Sequence, residues 1–290
     1  MDERKILFVG LSTIDLQFLV DRFPESNTKT KALQNEICLG GPATNAAIAC
    51  AFLHSKVDLL SPVGKSVFSE FIKEEINNFH IRLLDPLKEQ TAEPTFASII
   101  TSKSNGDRTV FSYHPEKQNI SYYQLELDAK DYKLVLFDGF YSDMAISLAE
   151  KFKKGGIITV FDGGSWKNGS ENLLKYIDVA ICSNDFQVPT GNSSKDIFKY
   201  LHKLGVKDIA ITRGGDSILC SHKDGREEIE IEQIEVKDTL GAGDIFHGVF
   251  CHYYSNGHNF INSLQRALVV AGESCKWFGT REWMYKYIKN

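Results

Sequence analysis

Short apolar runs recur along the chain and alternate with segments of helical periodicity. The apolar runs lie at 5–10, 57–64, 132–139, 156–164, 178–184 and 208–215. The helical patterns lie at 42–55, 142–154 and 193–204. Strands that alternate with helices form right-handed βαβ units. The pattern therefore predicts an α/β fold with a doubly wound, mostly parallel sheet and helices on both faces, and such sheets bind ligands at the carboxyl ends of their strands.

Two stretches interrupt this rhythm with alternating apolar and polar residues, at 11–38 and 91–113. In the second stretch, NGD at 105–107 separates two β-prone runs as a hairpin turn would. We expect a small antiparallel sheet inserted into the α/β body, with one face free to act as a lid. A surface hairpin without a role is the alternative. We find no internal repeat or linker, so 1–290 is expected to be one domain.

The last part of the chain predicts two helices after a strand. Residues 245–257 and 260–279 carry apolar residues at helical spacing, and Gly257 and Gly279 are expected to end them. The segment 227–236 alternates acidic and aliphatic residues, which predicts a partly exposed strand or hairpin.

The segment DTLGAGDIFHG at 238–248 leads into the first of these helices. Backbone N–H groups at a helix N-terminus attract anions, and glycines let an anion approach that backbone closely. We therefore expect a phosphate or oxyanion cradle at Gly241, Ala242 and Gly243. The carboxylate of Asp244 would then be placed to take a proton from an attacking hydroxyl. The simpler alternative is that Asp244 only stabilises the first helical turn.

A second glycine turn, GGPATNAA at 40–47, precedes the first long helix. Gly40 and Gly41 would allow close approach to the backbone, and Asn45 would hydrogen-bond polar ligand groups. The alternative is a tight turn that only packs against the sheet.

Composition narrows the class of protein. The formal net charge is −5 and no basic cluster is present, which argues against a nucleic-acid partner. No run reaches the ~18 apolar residues of a membrane span, and the N-terminal segment lacks the pattern of a signal peptide. The six cysteines are scattered without zinc-site spacing, so we expect reduced, buried thiols. These features predict a soluble cytoplasmic protein.

The pair GGPATNAA and DTLGAGDIFHG resembles the two signatures of the ribokinase/PfkB family of carbohydrate kinases. The resemblance extends over nearly the whole chain. Within the family, the chain is similar to ketohexokinase-like and sulfofructose-kinase-like members through GLSTIDLQFLVDRFP, NGDRTV, FDGGSWK and FHG. The resemblance implies a ribokinase-like fold and an ATP-dependent phosphotransferase with an alcohol group as acceptor.

The resemblance also implies roles for individual residues. Asp244 matches the catalytic general base. The anion hole for the transferring phosphoryl group matches the backbone of Gly241, Ala242 and Gly243. The implied substrate-binding positions are Asp15, Gly41, Asn45 and Arg108. The implied nucleotide-binding positions are Asn184, Thr212 and Gly214. ATP and Mg²⁺ are the implied cofactors, while the metal ligands and activation by a monovalent cation are left open.

Gln187 and Pro42 depart from the family pattern, and Lys167 has two possible roles. Gln187 replaces a Glu three residues after Asn184, so a neutral amide stands where an anion is usual. Pro42 stands where ribokinases usually have Lys and ketohexokinases have Asn. Lys167 could contact a phosphate or an anionic sugar group, or it could be a solvated loop lysine. Matching therefore assigns neither ribose nor fructose.

These observations predict an ATP-dependent kinase that phosphorylates a hydroxymethyl group of a small ketose- or pentose-type sugar. A nucleoside kinase of the same fold is the alternative, because Phe96, Phe111 and Tyr113 in the lid could contact a base. A non-catalytic regulatory protein on this scaffold is a weaker alternative, since Asp244 and the GAG segment are intact. A bare lid edge tends to find a partner strand, so we expect a homodimer through the lid.

Overall fold

A computed structural model of the chain describes residues 3–104, 106–115, 120, 122 and 125–287. The strands are β1 (Lys5–Val9), β2 (Thr13–Val20), β3 (Gln34–Gly40), β4 (Val57–Leu60), β5 (Arg82–Leu84), β6 (Thr95–Ser102), β7 (Arg108–Tyr113), β8 (Tyr132–Phe137), β9 (Ile158–Gly163), β10 (Val179–Ser183), β11 (Asp208–Arg213), β12 (Asp216–His222) and β13 (Gly225–Ile229). The α-helices are α1 (Pro42–Phe52), α2 (Ser69–Asn78), α3 (Ser142–Lys154), α4 (Ser170–Leu174), α5 (Ser194–Lys203), α6 (Ala242–Ser255), α7 (Phe260–Ser274) and α8 (Glu282–Tyr287).

The large sheet has the strand order β13-β12-β11-β10-β9-β8-β1-β4-β5 within the described residues. Neighbouring strands from β11 through to β5 run parallel, and only β12 and β13 at one edge pair antiparallel. Each of the six apolar runs contains one of the parallel strands. The predicted α/β fold with a mostly parallel sheet is confirmed.

Alternate residues of the parallel strands enter two different hydrophobic layers. In β1, Ile6 and Phe8 join the layer that contains α1, α2, α6 and α7, whereas Leu7 and Val9 join the layer that contains α3, α4 and α5. Because successive strand side chains point to opposite faces, a continuous apolar run is what a sheet covered by helices on both faces requires.

Helices α1 and α6 pack against each other closely enough to bring the two glycine segments together. A methyl group on Gly248 would lie 2.1 Å from the carbonyl oxygen of Ala46. Only a residue without a side chain permits this approach. The contact fixes α6 against α1 one helical turn after Asp244 and next to Asn45.

The second sheet has the order β3-β2-β6-β7, and we call it the lid sheet. Its outer pairs are antiparallel, as the alternation predicted, but the central strands β2 and β6 run parallel. The prediction of a wholly antiparallel sheet is therefore wrong at its centre. The two strands belong to distant segments, and an alternating pattern carries no information on their relative direction. The turn residue Asn105 lies outside the described residues.

Two boundaries near the C-terminus differ from the predictions. Helix α7 ends at Ser274 rather than near Gly279, because the carbonyl of Cys275 accepts hydrogen bonds from the N–H groups of Lys237 (2.9 Å) and Asp238 (3.2 Å). The predicted strand at 227–236 ends at Ile229, close to the start of its partner β12. Helix α8 was not predicted, and none of the helices in the described ranges is long and apolar enough to cross a membrane.

Candidate active site

The first turn of α6 forms a glycine-lined helix end. Gly241 precedes the helix with a φ of 68°, a left-handed conformation that favours glycine. A Cβ on Gly243 would meet none of the described atoms within 4 Å, so the backbone here is open on its outer side. The N–H of Ala242 donates to the carbonyl of Thr239 (3.2 Å). The turn has the shape and polarity of an anion cradle.

Asp244 lies in this turn and its side chain is held from α1. The Nδ2 of Asn45 donates to the Oδ2 of Asp244 over 2.8 Å. The surrounding protein desolvates the carboxylate, and the nearby negative charge of Asp162 adds to that effect, so the pKa of Asp244 rises to about 7. The hydrogen bond from Asn45 opposes the rise. A carboxylate with this pKa is suited to exchange protons near neutral pH.

Arg281 holds the other end of the Asn45 amide. Its Nη2 donates to the Oδ1 of Asn45 (3.0 Å) and to the carbonyl of Leu39 (2.7 Å). The guanidinium is buried, and burial lowers its pKa from the ordinary value. These contacts set which end of the amide faces Asp244. No sequence motif pointed to Arg281, because it is a single arginine in a short turn.

Asp15 occupies the inner side of the lid sheet next to the second glycine turn. Its Oδ1 accepts a hydrogen bond from the Thr13 hydroxyl (2.6 Å), and burial raises its pKa. A methyl group on Gly40 would lie 2.0 Å from the Oδ2 of Asp15. Gly41 has a φ of 97°, and a Cβ there would lie 2.3 Å from the carbonyl oxygen of Leu11. A side chain at Gly41 would therefore clash with the backbone, whereas a side chain at Gly40 would displace the Asp15 carboxylate.

Asp138, at the end of β8, ties together the segments that carry these residues. Its carboxylate accepts hydrogen bonds from the N–H groups of Leu11 (2.8 Å), Ala43 (3.2 Å) and Phe140 (3.0 Å). Burial raises the pKa of Asp138 to about 6 against the effect of these bonds. The sequence analysis missed this residue, although an Asp at the carboxyl end of a parallel strand is a signal for a ligand-facing position.

Arg108 begins β7 and reaches across to the segment before the cradle. Its Nη1 donates to the hydroxyl of Thr239. The lid sheet therefore contacts the α/β body at Thr239, two residues before Gly241. Arg108 lies beside the proposed anion cradle, whereas Asp15 contacts Thr13.

The three residues matched to nucleotide binding lie together at the carboxyl ends of two neighbouring parallel strands. The N–H of Asn184 donates to the carbonyl of Thr212 (2.8 Å), and the Thr212 hydroxyl donates to the carbonyl of Cys182 (3.4 Å). Gly214 follows with a φ of 64°. Gln187 is exposed nearby. Among the described residues, no group of three or more His, Cys, Asp or Glu side chains could hold a metal ion.

Sequence comparisons find kinases that are similar to this chain over most of its length. A ribokinase of Staphylococcus aureus is 24% identical over 260 residues, covering 85% of this chain and 84% of its own. A ketohexokinase of Mus musculus is 21% identical, covering 95% and 97%. A nucleoside kinase of Methanocaldococcus jannaschii is 26% identical, covering 94% and 92%.

Solved structures show the same fold. A ribokinase of Thermotoga maritima superposes with a TM-score of 0.78 at 20% identity, covering 99% of this chain and 100% of that one. The Arabidopsis thaliana ribokinase, solved with ribose and ATP, superposes with a TM-score of 0.75 at 19% identity, covering 100% of both chains. The predicted ribokinase-like fold is confirmed. The sequence profile of the pfkB family carbohydrate kinases matches residues 3–285, and this chain therefore belongs to that family.

Proposed function

We propose that this kinase transfers the γ-phosphate of ATP to a hydroxymethyl group of a small ketose- or pentose-type sugar. One observation supports this most directly. Asp244, with a pKa of about 7, is held by Asn45 beside the open glycine turn of α6. Phosphoryl transfer needs mainly positioning and charge stabilisation, and this arrangement offers both together with a base for the acceptor hydroxyl.

In this proposal each residue has a separate task. Asp244 takes the proton of the sugar hydroxyl. The anion hole for the developing phosphoryl charge consists of the backbone N–H groups of Gly241, Ala242 and Gly243. The sugar hydroxyls are bound by Asp15, Gly41, Asn45 and Arg108. The nucleotide lies along Asn184, Thr212 and Gly214. The open side of Gly243 leaves room for a phosphate at the helix end, and Mg²⁺ carried by the ATP phosphates would neutralise their charge.

The lid aromatics favour a sugar over a nucleoside. Paired residues of neighbouring strands share a face of the sheet. Phe96 pairs with both Ile14 and Tyr113, and Phe111 is connected to Leu16 through Ser98, so all three aromatic residues share the face of Ile14 and Leu16. Asp15 lies between those two residues and points to the opposite face. The three aromatic residues that could have contacted a base thus lie on the side of the sheet away from Asp15.

A substrate panel tests the proposed activity. ADP release would be measured with ketoses, pentoses, their phosphates and nucleosides, for the wild type and Asp244→Asn. We expect turnover with one of the sugars, and a loss of roughly 10²–10⁴-fold in the variant with ATP binding retained. Turnover with nucleosides alone would favour the alternative kinase. ATP binding without turnover on any acceptor would favour a regulatory protein.

We also propose that the chain forms a homodimer through the lid sheet. Its face away from Asp15 exposes Ile37 (57%), Phe111 (64%) and Tyr113 (72%), an apolar patch of the kind that marks an interaction surface. Phe111→Glu should yield monomers in sedimentation velocity, whereas Val269→Glu, at an exposed apolar position on α7, should not. Equal masses for both variants and the wild type would contradict the proposal. The six buried free thiols agree with a cytoplasmic location.

A further inference from the structure

His247 lies one turn into α6, with its ring buried between the helix and the large sheet. Its Nδ1 is 2.7 Å from the carbonyl oxygen of Gly243, and its Nε2 is 3.2 Å from the carbonyl oxygen of Ile181 in β10. The side chain is buried. The ring therefore bridges the glycine turn of α6 and the middle of strand β10.

Both neighbours of the ring are oxygen atoms that can only accept hydrogen bonds. A neutral imidazole carries one N–H and presents a lone pair on its other nitrogen. Such a ring would place that lone pair against a carbonyl oxygen in a buried site, which is costly. An imidazolium has two N–H groups and donates to both oxygens.

We infer that His247, which lies three residues after Asp244 on the same helix, is a buried imidazolium that positions the Gly243 turn and acts on the charge of Asp244. This inference rests on the proposed function for its catalytic part. The protonation state of His247 is inferred from its two carbonyl contacts and is independent of that function.

The charges around the ring support a cation at this position. The Oδ1 of Asp162, on β9, lies 3.6 Å from the Nε2 of His247, and Asp162 is itself buried. Asp244 from α6 and Asp138 from β8 also interact electrostatically with this cluster, and Lys167 interacts with Asp138. A buried cation is tolerated when anions and hydrogen-bond acceptors surround it. Here the carboxylates of Asp162 and Asp244 and two carbonyl groups do so.

The effect on Asp244 has two opposing parts. The negative charge of Asp162 raises the pKa of Asp244, whereas the hydrogen bond from Asn45 and the positive charge of His247 lower it. Loss of the cation should therefore strengthen proton binding by Asp244. His247 acts as a positioning residue, because it touches the turn and not the reacting atoms.

A first experiment measures the protonation state directly. The protein would be labelled with ¹⁵N-histidine, and the ring nitrogens of its eight histidines would be observed between pH 6 and pH 8.5. The His247 signal is identified as the one that is missing in His247→Gln, or in His247→Asn if the first variant does not fold. We expect both of its nitrogens to carry protons at pH 7, because each one faces a carbonyl oxygen. His252, on the same helix, is the internal control, because burial lowers its pKa to about 4 and its Nδ1 faces the Ser55 hydroxyl (2.8 Å), which can donate.

One protonated and one bare nitrogen on His247 at pH 7 would overturn the inference. This measurement needs no substrate, so it stands even if the proposed kinase activity fails.

A second experiment tests the catalytic part. The pH at which kcat/KM falls to half on the acid side should rise by about one unit in His247→Gln, since a unit charge at short range in a protein has an effect of that order. His258→Gln is the matched control, because His258 is exposed and bonds to Asn262. A purely structural role for His247 predicts lower activity at every pH with an unchanged midpoint, and that result would refute tuning of Asp244.

Discussion

The Nδ2 of Asn45 donates a 2.8 Å hydrogen bond to the Oδ2 of Asp244, although the two residues are 199 positions apart in the chain. The contact exists because α1 and α6 pack closely at Ala46 and Gly248. Arg281 then holds the far end of the Asn45 amide. The two glycine segments that the sequence singled out separately thus form one hydrogen-bonded unit.

Removal of this hydrogen bond should change the pH dependence of the reaction. In Asn45→Ala the pKa of Asp244 should rise above about 7, because the bond from Asn45 lowers it in the wild type. A hydrogen bond to a charged group stabilises by about 1.5–3 kcal/mol, so the acid-side midpoint of kcat/KM should move up by roughly one unit or more. Asn172→Ala, an exposed site bonded to Lys175, is the control. An unmoved midpoint would show that Asn45 does not influence the base.

Two glycines of the same helix should respond in opposite ways to alanine. Gly243→Ala finds open space, so the free energy of unfolding should stay unchanged or rise by about 0.5–1 kcal/mol from helix propensity. Its methyl group would occupy the phosphate approach, and turnover should fall roughly tenfold or more. Gly248→Ala meets the Ala46 carbonyl at 2.1 Å and should destabilise by about 1–3 kcal/mol. Urea unfolding and ADP release would measure both, and equal stability of the two variants would contradict the packing argument.

The ionised carboxylate of Asp244, the proposed base, should destabilise the folded protein at alkaline pH. The pKa of Asp244 is raised from 3.8 to about 7, chiefly by burial and then by Asp162, so the folded protein binds this proton more tightly than the unfolded chain. The resulting stabilisation is full below pH ~4 and disappears as the pH rises through about 7. Asp244→Asn should therefore melt at a higher temperature than the wild type at pH 8, with the difference shrinking towards pH 5.

Thermal melting of both proteins across pH 5–8 would test this. Asp138, whose pKa is about 6, interacts with Asp244, so the same comparison would be repeated with Asp138→Asn in both proteins to remove its titration. A difference in melting temperature that does not change with pH would contradict the assignment of the raised pKa to Asp244.

Gln187→Glu should alter the response to Mg²⁺. A carboxylate binds a hard cation more strongly than an amide does, and Gln187 is exposed three residues after Asn184. The free Mg²⁺ concentration for half-maximal turnover, measured at constant MgATP, should therefore fall. Gln187→Ala adds no charge and should leave that concentration unchanged or raise it. If the wild type and both variants responded identically to Mg²⁺, Gln187 would not lie near the bound ion.

The pattern of apolar and polar residues predicted most strands and helices of this fold, but it did not predict how distant strands pair. Apolar runs identify strands buried on both faces, since every residue from Ile6 to Val9 is buried. The parallel pairing of β2 with β6 escaped prediction, because alternation does not record which distant strand is the neighbour or its direction.

The candidate site was predicted in part for the same reason. Asp244 and Asn45 stand in motifs with glycines, whose spacing reflects the contacts that they make. Arg281 and Asp138 stand alone in sequence and acquire partners only from the tertiary fold, namely Asn45 and the N–H of Leu11. His247 stands inside the DTLGAGDIFHG segment, but its contact with the carbonyl of Ile181 also comes from the tertiary fold. A single polar residue carries no spacing from which such partners can be inferred.

The Asp15 carboxylate lies 2.0 Å from the place that a Cβ at Gly40 would occupy, so the side chains allowed at these two positions depend on each other. A larger residue at 40 excludes aspartate at 15, while a smaller residue at 15 would free position 40 to vary. Libraries that aim to change the acceptor should therefore randomise these two codons jointly, because a larger residue at 40 fits only together with a smaller residue at 15.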